Sequence, residues 1–170
     1  LYLGSTPGDA ESNGQPTDAA DGDDQTGVDD EDGVDLAGVI FVAGEQKEIT
    51  VDVTNNTGQQ AYLNAWIDFN RDGDWDDAGE RVFDGQALSA GDNLLSLDVP
   101  ANSWPGESYA RFRFSLDGVD SYSGTALSGE VEDYQVALRE PVQITGQTVE
   151  IDGTPGFFFN DTATTEIYTV

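Results

Sequence analysis

Apolar and polar residues alternate along short runs of the chain from about residue 36 onward. In residues 61–69, for example, every second side chain is apolar, and Pro100 ends a later run because proline cannot donate to a strand ladder. The pattern predicts about seven strands, near residues 39–42, 49–53, 61–69, 82–83, 95–99, 110–116 and 134–138. Clean alternation gives each sheet one buried face, and no stretch has convincing helical periodicity. We therefore expect an all-β fold, an antiparallel β-sandwich of Ig-like or jelly-roll-like type, with long acidic loops of calcium-binding type.

Composition divides the chain into an acidic first part and a β-rich core. Residues 1–35 carry eleven acidic residues and no basic residue, which on composition alone predicts loops or disorder. Residues 36–140 are predicted to form the sandwich, and the poorly patterned residues 141–156 a linker or the start of a following domain. The sequence starts at Leu1 without an initiator Met or the pattern of a signal peptide, so any signal peptide lies upstream or never existed.

The last residues, 157–170, differ in character from the rest of the chain. Residues 160–169 resemble the translation of a flow-cell adapter from a common short-read sequencing library, and the three Phe residues before them read as a run of t bases. The Thr, Ile, Tyr and Val residues of this tail would also suit a genuine strand. The codon-level match favours an adapter-derived artefact, so we attribute no function to residues 157–170.

The charge balance excludes several classes of function. The chain has 34 acidic and 6 basic residues, a net charge of −28, and neither His nor Cys. Nucleic acid is an unsuitable partner because phosphate binding requires clustered Lys and Arg. Thiol and imidazole catalysis, the usual zinc sites and disulfides all lack their residues, and no apolar run reaches the length of a membrane span. These features indicate an acidic protein that is not an enzyme, in which hard cations bound by oxygen remain available.

A calcium loop is predicted in residues 68–80, where oxygen-bearing side chains recur at every second position around Gly73. The predicted ligands are Asp68, Asn70, Asp72, Asp74, Asp76 and Glu80. Calcium binds six to eight oxygen ligands, and the D-x-N-x-D-G core is the first half of an EF-hand loop. Gly79 stands at the twelfth loop position, and a strand leads into the loop, so this is an EF-like loop and not an EF-hand. The alternative is a solvated acidic hairpin.

Two further groups of acidic residues are candidate metal ligands. The first is a second cluster in the N-terminal part, made of Asp21, Asp23, Asp29, Asp30 and Asp32. The second contains Glu130, Glu132 and Asp133, at the entrance to the last predicted strand. The first cluster could instead be a solubilising run, and the second group could pair with Arg111 or Arg113 on a neighbouring strand.

A series of motifs gives the chain a family resemblance. Residues 129–134 read GEVEDY, and before them come LYLGS, GQPT, DGDD, DDEDGV, VTNNTG, AYLNAWIDFNRDGDWDDAGE and YARFRFS, in that order. Over residues 1–139 this series resembles the bacterial GEVED domain. The resemblance implies a β-sandwich module of large secreted or surface-attached bacterial proteins, with an adhesive or scaffolding role and no established enzymatic activity.

Three functions compete at this point. The first is a calcium-stabilised structural or adhesion module of a larger extracellular or cell-surface chain, whose partners are calcium ions and surface glycans or proteins. The second is a carbohydrate-binding module in which Trp66, Trp75 and Trp104 stack on sugars, although such rings more often cover sheet faces. The third and most remote is a carboxylate-pair glycosidase, for which acidic residues alone carry no weight without a cleft.

Overall fold

The computed structural model describes residues 1–7, 31–142, 147–151, 154–158 and 167–169. The chain divides into two compact units, Leu1–Glu140 and Pro141–Val170. All regular elements in the described ranges are β-strands, so the all-β prediction is confirmed. Among the same residues there is no helix of the length and apolarity that crossing a membrane requires.

The described residues of the first unit, 1–7 and 31–140, form ten strands in three sheets. They are β1 (Tyr2–Leu3), β2 (Val34–Asp35), β3 (Ile40–Val42), β4 (Gln46–Val51), β5 (Val53–Thr54), β6 (Ala61–Ile67), β7 (Arg81–Leu88), β8 (Asn93–Asp98), β9 (Gly106–Ser115) and β10 (Glu130–Arg139). A five-stranded sheet has the order β3-β10-β9-β6-β7, a three-stranded sheet the order β2-β4-β8, and β1 pairs with β5. Every pair is antiparallel except β3 with β10, which is parallel.

All seven predicted strands occur in this unit. The other three strands, β1, β2 and β5, have two residues each and are too short to show alternation, and the predicted strand 49–53 is divided between β4 and β5. Two of them, β1 and β2, lie in the acidic N-terminal part, which composition alone assigned to loops or disorder. Residues 1–7 and 31–35 therefore have defined places in the fold, and residues 8–30 lie outside the described part of the chain.

The hydrophobic core draws on the inner faces of the two larger sheets. Leu63 and Ile67 of β6 and Phe112 of β9 belong to one buried cluster with Ile49 of β4 and Leu97 of β8. Removing a side chain of this size from water contributes about 1.5–3 kcal/mol to stability. The period-two alternation in the sequence correctly placed these residues on one face.

The outer face of the five-stranded sheet differs from expectation, because it too is buried at its centre. Asn64 of β6 and Arg111, Arg113 and Ser115 of β9 are each at most 3% exposed. The segment 116–129 between β9 and β10 lies against this face, with carbonyl groups of residues 121–124 accepting hydrogen bonds from the two arginines. The prediction that each sheet has only one buried face is therefore wrong for the centre of this sheet.

In the second unit, the described residues form three short strands, β11 (Gln147–Ile151), β12 (Thr154–Phe158) and β13 (Ile167–Thr169). They form an antiparallel sheet in the order β11-β12-β13. Residues of the tail thus adopt extended backbone, as their β-propensity allows. The adapter-derived origin of residues 157–170 stays a prediction.

Candidate functional site

The acidic loop 68–80 connects β6 to β7, and buried carboxylates at its two ends hold its backbone. Asp68 is 4% exposed and accepts hydrogen bonds from the N–H groups of Arg71 (2.5 Å) and Gly73 (3.1 Å). Glu80 is 2% exposed and accepts from Phe69 (3.1 Å) and Asp77 (3.3 Å). These two predicted ligands therefore form the internal frame of the loop.

Burial changes the proton affinity of both frame residues. It raises the pKa of Glu80 to about 7, with the charge of Asp68 acting in the same direction against the hydrogen bonds from the loop N–H groups. Burial likewise raises the pKa of Asp68, and the charge of Asp72 adds to the shift. A cation beside the loop would offset this repulsion and favour the ionised forms.

Three exposed carboxylates converge at the tip of the loop. Each of Asp72, Asp74 and Asp77 offers one oxygen, and these oxygens lie within 4.8 Å of one another. The side-chain amide of Asn70 donates to Asp72 (2.9 Å) and to Asp77 (2.6 Å). Of the predicted ligands, the structure thus brings Asp72 and Asp74 together, with Asn70 adjoining them.

Alternation along the loop selected Asp76 as a ligand, but in the structure Asp77 joins the carboxylate cluster in its place. The Asp76 side chain hydrogen-bonds to Tyr122, so it points toward the segment 116–129, and Asp77 joins the carboxylate cluster instead. The two-residue period fails because the backbone turns sharply, with Arg71 at φ 60° and Gly73 at φ 93°. The sequence signal for Asp77 was only its position next to Asp76.

Trp75 anchors the loop to the body of the domain. Its ring is 6% exposed, its Nε1 donates to the carbonyl of Tyr109 at 3.4 Å, and it meets the Tyr122 ring edge-on with 5.5 Å between centroids. Through these contacts Trp75 fixes the part of the loop that carries Asp74 and Asp76 against Tyr109 and Tyr122. The cluster geometry therefore depends on this tertiary contact.

The donor set of the cluster fits a hard cation. Every candidate ligand atom in it is a carboxylate or amide oxygen, which is the chemistry that calcium prefers. Two oxygens bound to one calcium ion at 2.3–2.6 Å can be at most about 5 Å apart. The 4.8 Å span of the three carboxylate oxygens is within that limit.

The motif GEVEDY at residues 129–134 forms a second cluster, which we call the N-terminal clamp. It consists of Glu130, Glu132 and Tyr134 on the inner face of β10. Glu130 accepts from the N–H of Leu3 at 2.5 Å, Glu132 accepts from the N–H of Gly33 at 3.0 Å, and the Tyr134 hydroxyl accepts from Val34 at 3.0 Å. The clamp thus fastens the two N-terminal segments to the five-stranded sheet.

The clamp residues are also linked to one another. The Tyr134 hydroxyl donates to Glu132 at 3.0 Å, and its ring packs edge-on against Phe112. Glu132 is fully buried, and burial together with the charge of Glu130 raises its pKa to about 8. Burial and the charge of Glu132 raise the pKa of Tyr134 as well. Near neutral pH, Glu132 therefore retains its proton in much of the population.

Asp133 points to the opposite face from Glu130 and Glu132. Its two oxygens accept from Nε and Nη2 of Arg111, each at 2.6 Å, and both partners are almost completely buried. On sequence alone, residues 130–133 could either bind metal or pair with an arginine. For Asp133 the structure shows the arginine pair.

The second predicted acidic cluster lies mostly outside the described residues, which include only Asp32 of its five members. Asp32 accepts from the hydroxyls of Ser5 (2.7 Å) and Thr6 (2.8 Å) and from their N–H groups. Although burial acts to raise it, the pKa of Asp32 is lowered by these hydrogen bonds. Asp21, Asp23, Asp29 and Asp30 remain predicted ligands.

The three tryptophans differ in exposure. Trp66 and Trp75 are 3% and 6% exposed and enclose Tyr122, whereas Trp104 is 62% exposed. Neither buried ring offers a free face to a sugar, so Trp104 alone retains the exposure that stacking requires. It follows Ser103, which together with Asn70, Asp77 and Glu80 lines a cavity of about 200 Å³ beside the loop.

The fold and the site together define an all-β module with an acidic loop whose carboxylates converge at its tip. Comparison with family models places the part from β6 to β10 in one family: residues 62–137 match the GEVED domain. The family match that the resemblance predicted over residues 1–139 is therefore confirmed for residues 62–137. The family suggests a module of a larger extracellular protein. No curated protein matches the chain.

Proposed function

We propose that this protein is a calcium-stabilised β-sandwich module of a larger secreted or cell-surface bacterial protein, with a structural or adhesive role. The observation that supports this most is the convergence of Asp72, Asp74 and Asp77 at the tip of the loop 68–80. Asn70 adjoins them, and calcium would be held by these side chains together with loop carbonyls and water. Bound calcium would thereby stabilise the extracellular domain without disulfide bonds.

Calcium would stabilise the folded state for two reasons: it neutralises repelling charges, and it binds only the folded chain. Three carboxylates so close together repel one another, and the net charge of −28 adds to the repulsion. These ligands are assembled only in the folded chain, so the binding free energy of calcium adds to the free energy of unfolding. Ion binding would also hold Trp75 and Asp76 against Tyr122 and so connect the loop to the outer face of the sheet.

A non-enzymatic role is part of the proposal. The buried carboxylates of Asp68, Glu80 and Glu132 hold backbone N–H groups, and that of Asp133 holds a guanidinium group. Each of these four carboxylates therefore has a structural role in the domain. The remote glycosidase alternative would need a substrate cleft with a free carboxylate pair.

Glycan binding is a second candidate function, and the exposure of Trp104 favours it. The indole is 62% exposed and follows a segment that lines the cavity beside the acidic loop. One aromatic face combined with calcium could recognise a sugar. Binding of a soluble glycan that disappears in Trp104→Ala, with an unchanged melting temperature, would support this function.

Calcium titration tests the main proposal. We expect isothermal titration calorimetry to detect calcium binding and thermal unfolding to shift upward in calcium relative to excess chelator. Asp72→Ala should abolish most of this shift, whereas the matched variant Asp92→Ala, at an exposed position on another loop, should retain it. Equal melting temperatures in calcium and chelator, with no heat of binding, would contradict the proposal.

A further inference from the structure

Three buried donor groups lie side by side on the outer face of the five-stranded sheet. Asn64 of β6 and Arg113 of β9 are directly opposite each other in the strand register, and Ser115 is two residues along β9 on the same face. They are 1%, 3% and 1% exposed. Asn64 Nδ2, Arg113 Nε and Ser115 Oγ have no hydrogen-bond partner among the described residues.

The orientation of the Asn64 amide is determined by its other contacts. Its oxygen accepts from Arg81 Nη2 at 2.6 Å and from the N–H of Gly85 at 2.8 Å. The nitrogen must therefore point away from these two donors. The guanidinium of Arg113 is likewise fixed, because its Nη atoms donate to the carbonyls of Ser121, Ser123 and Gly124. Its Nε is the guanidinium nitrogen that has no hydrogen-bond partner among the described residues.

Beneath segment 116–129, buried positive charges outnumber buried negative charges, although the whole chain is strongly acidic. Two buried guanidinium groups, those of Arg111 and Arg113, share this face with one buried carboxylate, that of Asp133. Asp133 is committed to Arg111, and no described carboxylate lies within ion-pair distance of Arg113. A buried cation without a counter-ion is unfavourable, and burial and the charge of Arg111 lower the pKa of Arg113 accordingly.

We infer that a small monovalent anion, such as chloride, binds between Asn64, Arg113 and Ser115 beneath segment 116–129. An anion accepts hydrogen bonds from all three groups and supplies the counter-charge that Arg113 lacks. These three atoms are not hydrogen-bonded to one another, so one bridging ion could accept from all of them. A water molecule would accept only two hydrogen bonds and would leave the charge uncompensated.

Thermal unfolding at constant ionic strength tests this inference. Gluconate, which is too large for a buried site of this kind, is replaced stepwise by chloride at fixed calcium concentration. We expect the melting temperature to rise and then saturate with chloride, and bromide to act in the same way. A bromide-soaked crystal should show an anomalous peak between Asn64 and Arg113.

Asn64→Asp supplies an internal counter-ion. One oxygen of the new carboxylate can still accept from Arg81 and Gly85, and the other would face Arg113. The variant should melt higher than the wild type without chloride and should no longer respond to chloride. Asn56→Asp makes the same change of charge at an exposed position and should respond as the wild type does.

Ser115→Ala removes one donor and should raise the half-saturating chloride concentration roughly tenfold, as expected for a hydrogen bond to a charged group. The wild-type titration needs no variant, so it remains decisive if a substitution impairs folding. A melting temperature that does not change with chloride, or a chloride response that persists in Asn64→Asp, would overturn the inference.

Discussion

Glu132 accepts a hydrogen bond from the backbone N–H of Gly33 at 3.0 Å, across 99 residues of sequence. The contact lies in the inner face of the sandwich, where Glu132 is completely buried. It ties the first acidic segment of the chain to the last strand of the first unit. The second glutamate of the GEVED motif therefore has a structural role in this domain.

Stability should fall as the pH rises from about 5 to about 8, because burial raises the pKa of Glu132 to about 8. The folded state then holds a proton that the unfolded chain releases above its ordinary pKa near 4.5. The contribution of protonated Glu132 to the free energy of unfolding is complete below the pKa of the unfolded chain. It declines by up to about 1.4 kcal/mol per pH unit between the two pKa values and is lost above the pKa of the folded state. Urea unfolding in chelator at several pH values measures this slope.

Glu132→Gln isolates the contribution of this group. The amide is neutral at every pH, so the slope should be flatter than in the wild type. Glu48→Gln, an exposed position on β4, removes the same charge and controls for general repulsion among the acidic residues. Identical slopes in the wild type and Glu132→Gln would show that Glu132 does not retain its proton.

Gly129→Ala should destabilise the domain by roughly 3 kcal/mol or more, among the larger effects of single substitutions. Gly129 has φ 95°, and a Cβ atom there would lie 1.7 Å from the carbonyl oxygen of Phe114. Gly118→Ala is the matched control, because φ is 59° and nothing lies within 4 Å of its Cβ position. The control should lose only about 1–2 kcal/mol, the cost of left-handed backbone. Equal losses in denaturant unfolding would refute the steric argument.

Breaking the buried pair of Arg111 and Asp133 should destabilise the domain far more than breaking the exposed pair of Arg81 and Asp84. Both pairs have the same N–O distance of 2.6 Å. Asp133→Ala leaves a buried guanidinium without its partner and should cost about 3–5 kcal/mol. Asp84→Ala removes a carboxylate that is 74% exposed and should cost less than about 1 kcal/mol. Chemical unfolding of the two variants makes the comparison, and a small loss in Asp133→Ala would contradict it.

Calcium affinity should distinguish Asp77 from its neighbour Asp76. Asp77 belongs to the carboxylate cluster, whereas the Asp76 side chain contacts Tyr122. We expect Asp77→Asn to weaken calcium binding roughly tenfold, equivalent to about 1.4 kcal/mol, and Asp76→Asn to have a smaller effect. Calorimetric titration provides the two dissociation constants. The opposite order would favour the ligand set predicted from strict alternation.

The amino-acid sequence by itself determined the strands, the inner face of the sandwich and the position of the acidic loop. These features are local, because period-two alternation reports which side of a strand faces the core, as for Leu63 and Ile67. The conformational freedom that Gly73 brings to the acidic loop is equally a property of the residue itself. The family resemblance over residues 62–137 rests on the same local patterns and was confirmed.

Only the tertiary structure decided which polar groups meet. Strict alternation selected Asp76, but the turns at Arg71 and Gly73 and the burial of Trp75 brought Asp77 to the cluster instead. Composition assigned the first 35 residues to loops or disorder, but the clamp gives Leu3, Gly33 and Val34 hydrogen-bond partners about a hundred or more residues away. The outer face that holds Asn64 and Arg113 is buried because segment 116–129 folds back over it. Contacts of this kind depend on turns and on distant segments, which no local periodicity in the chain encodes.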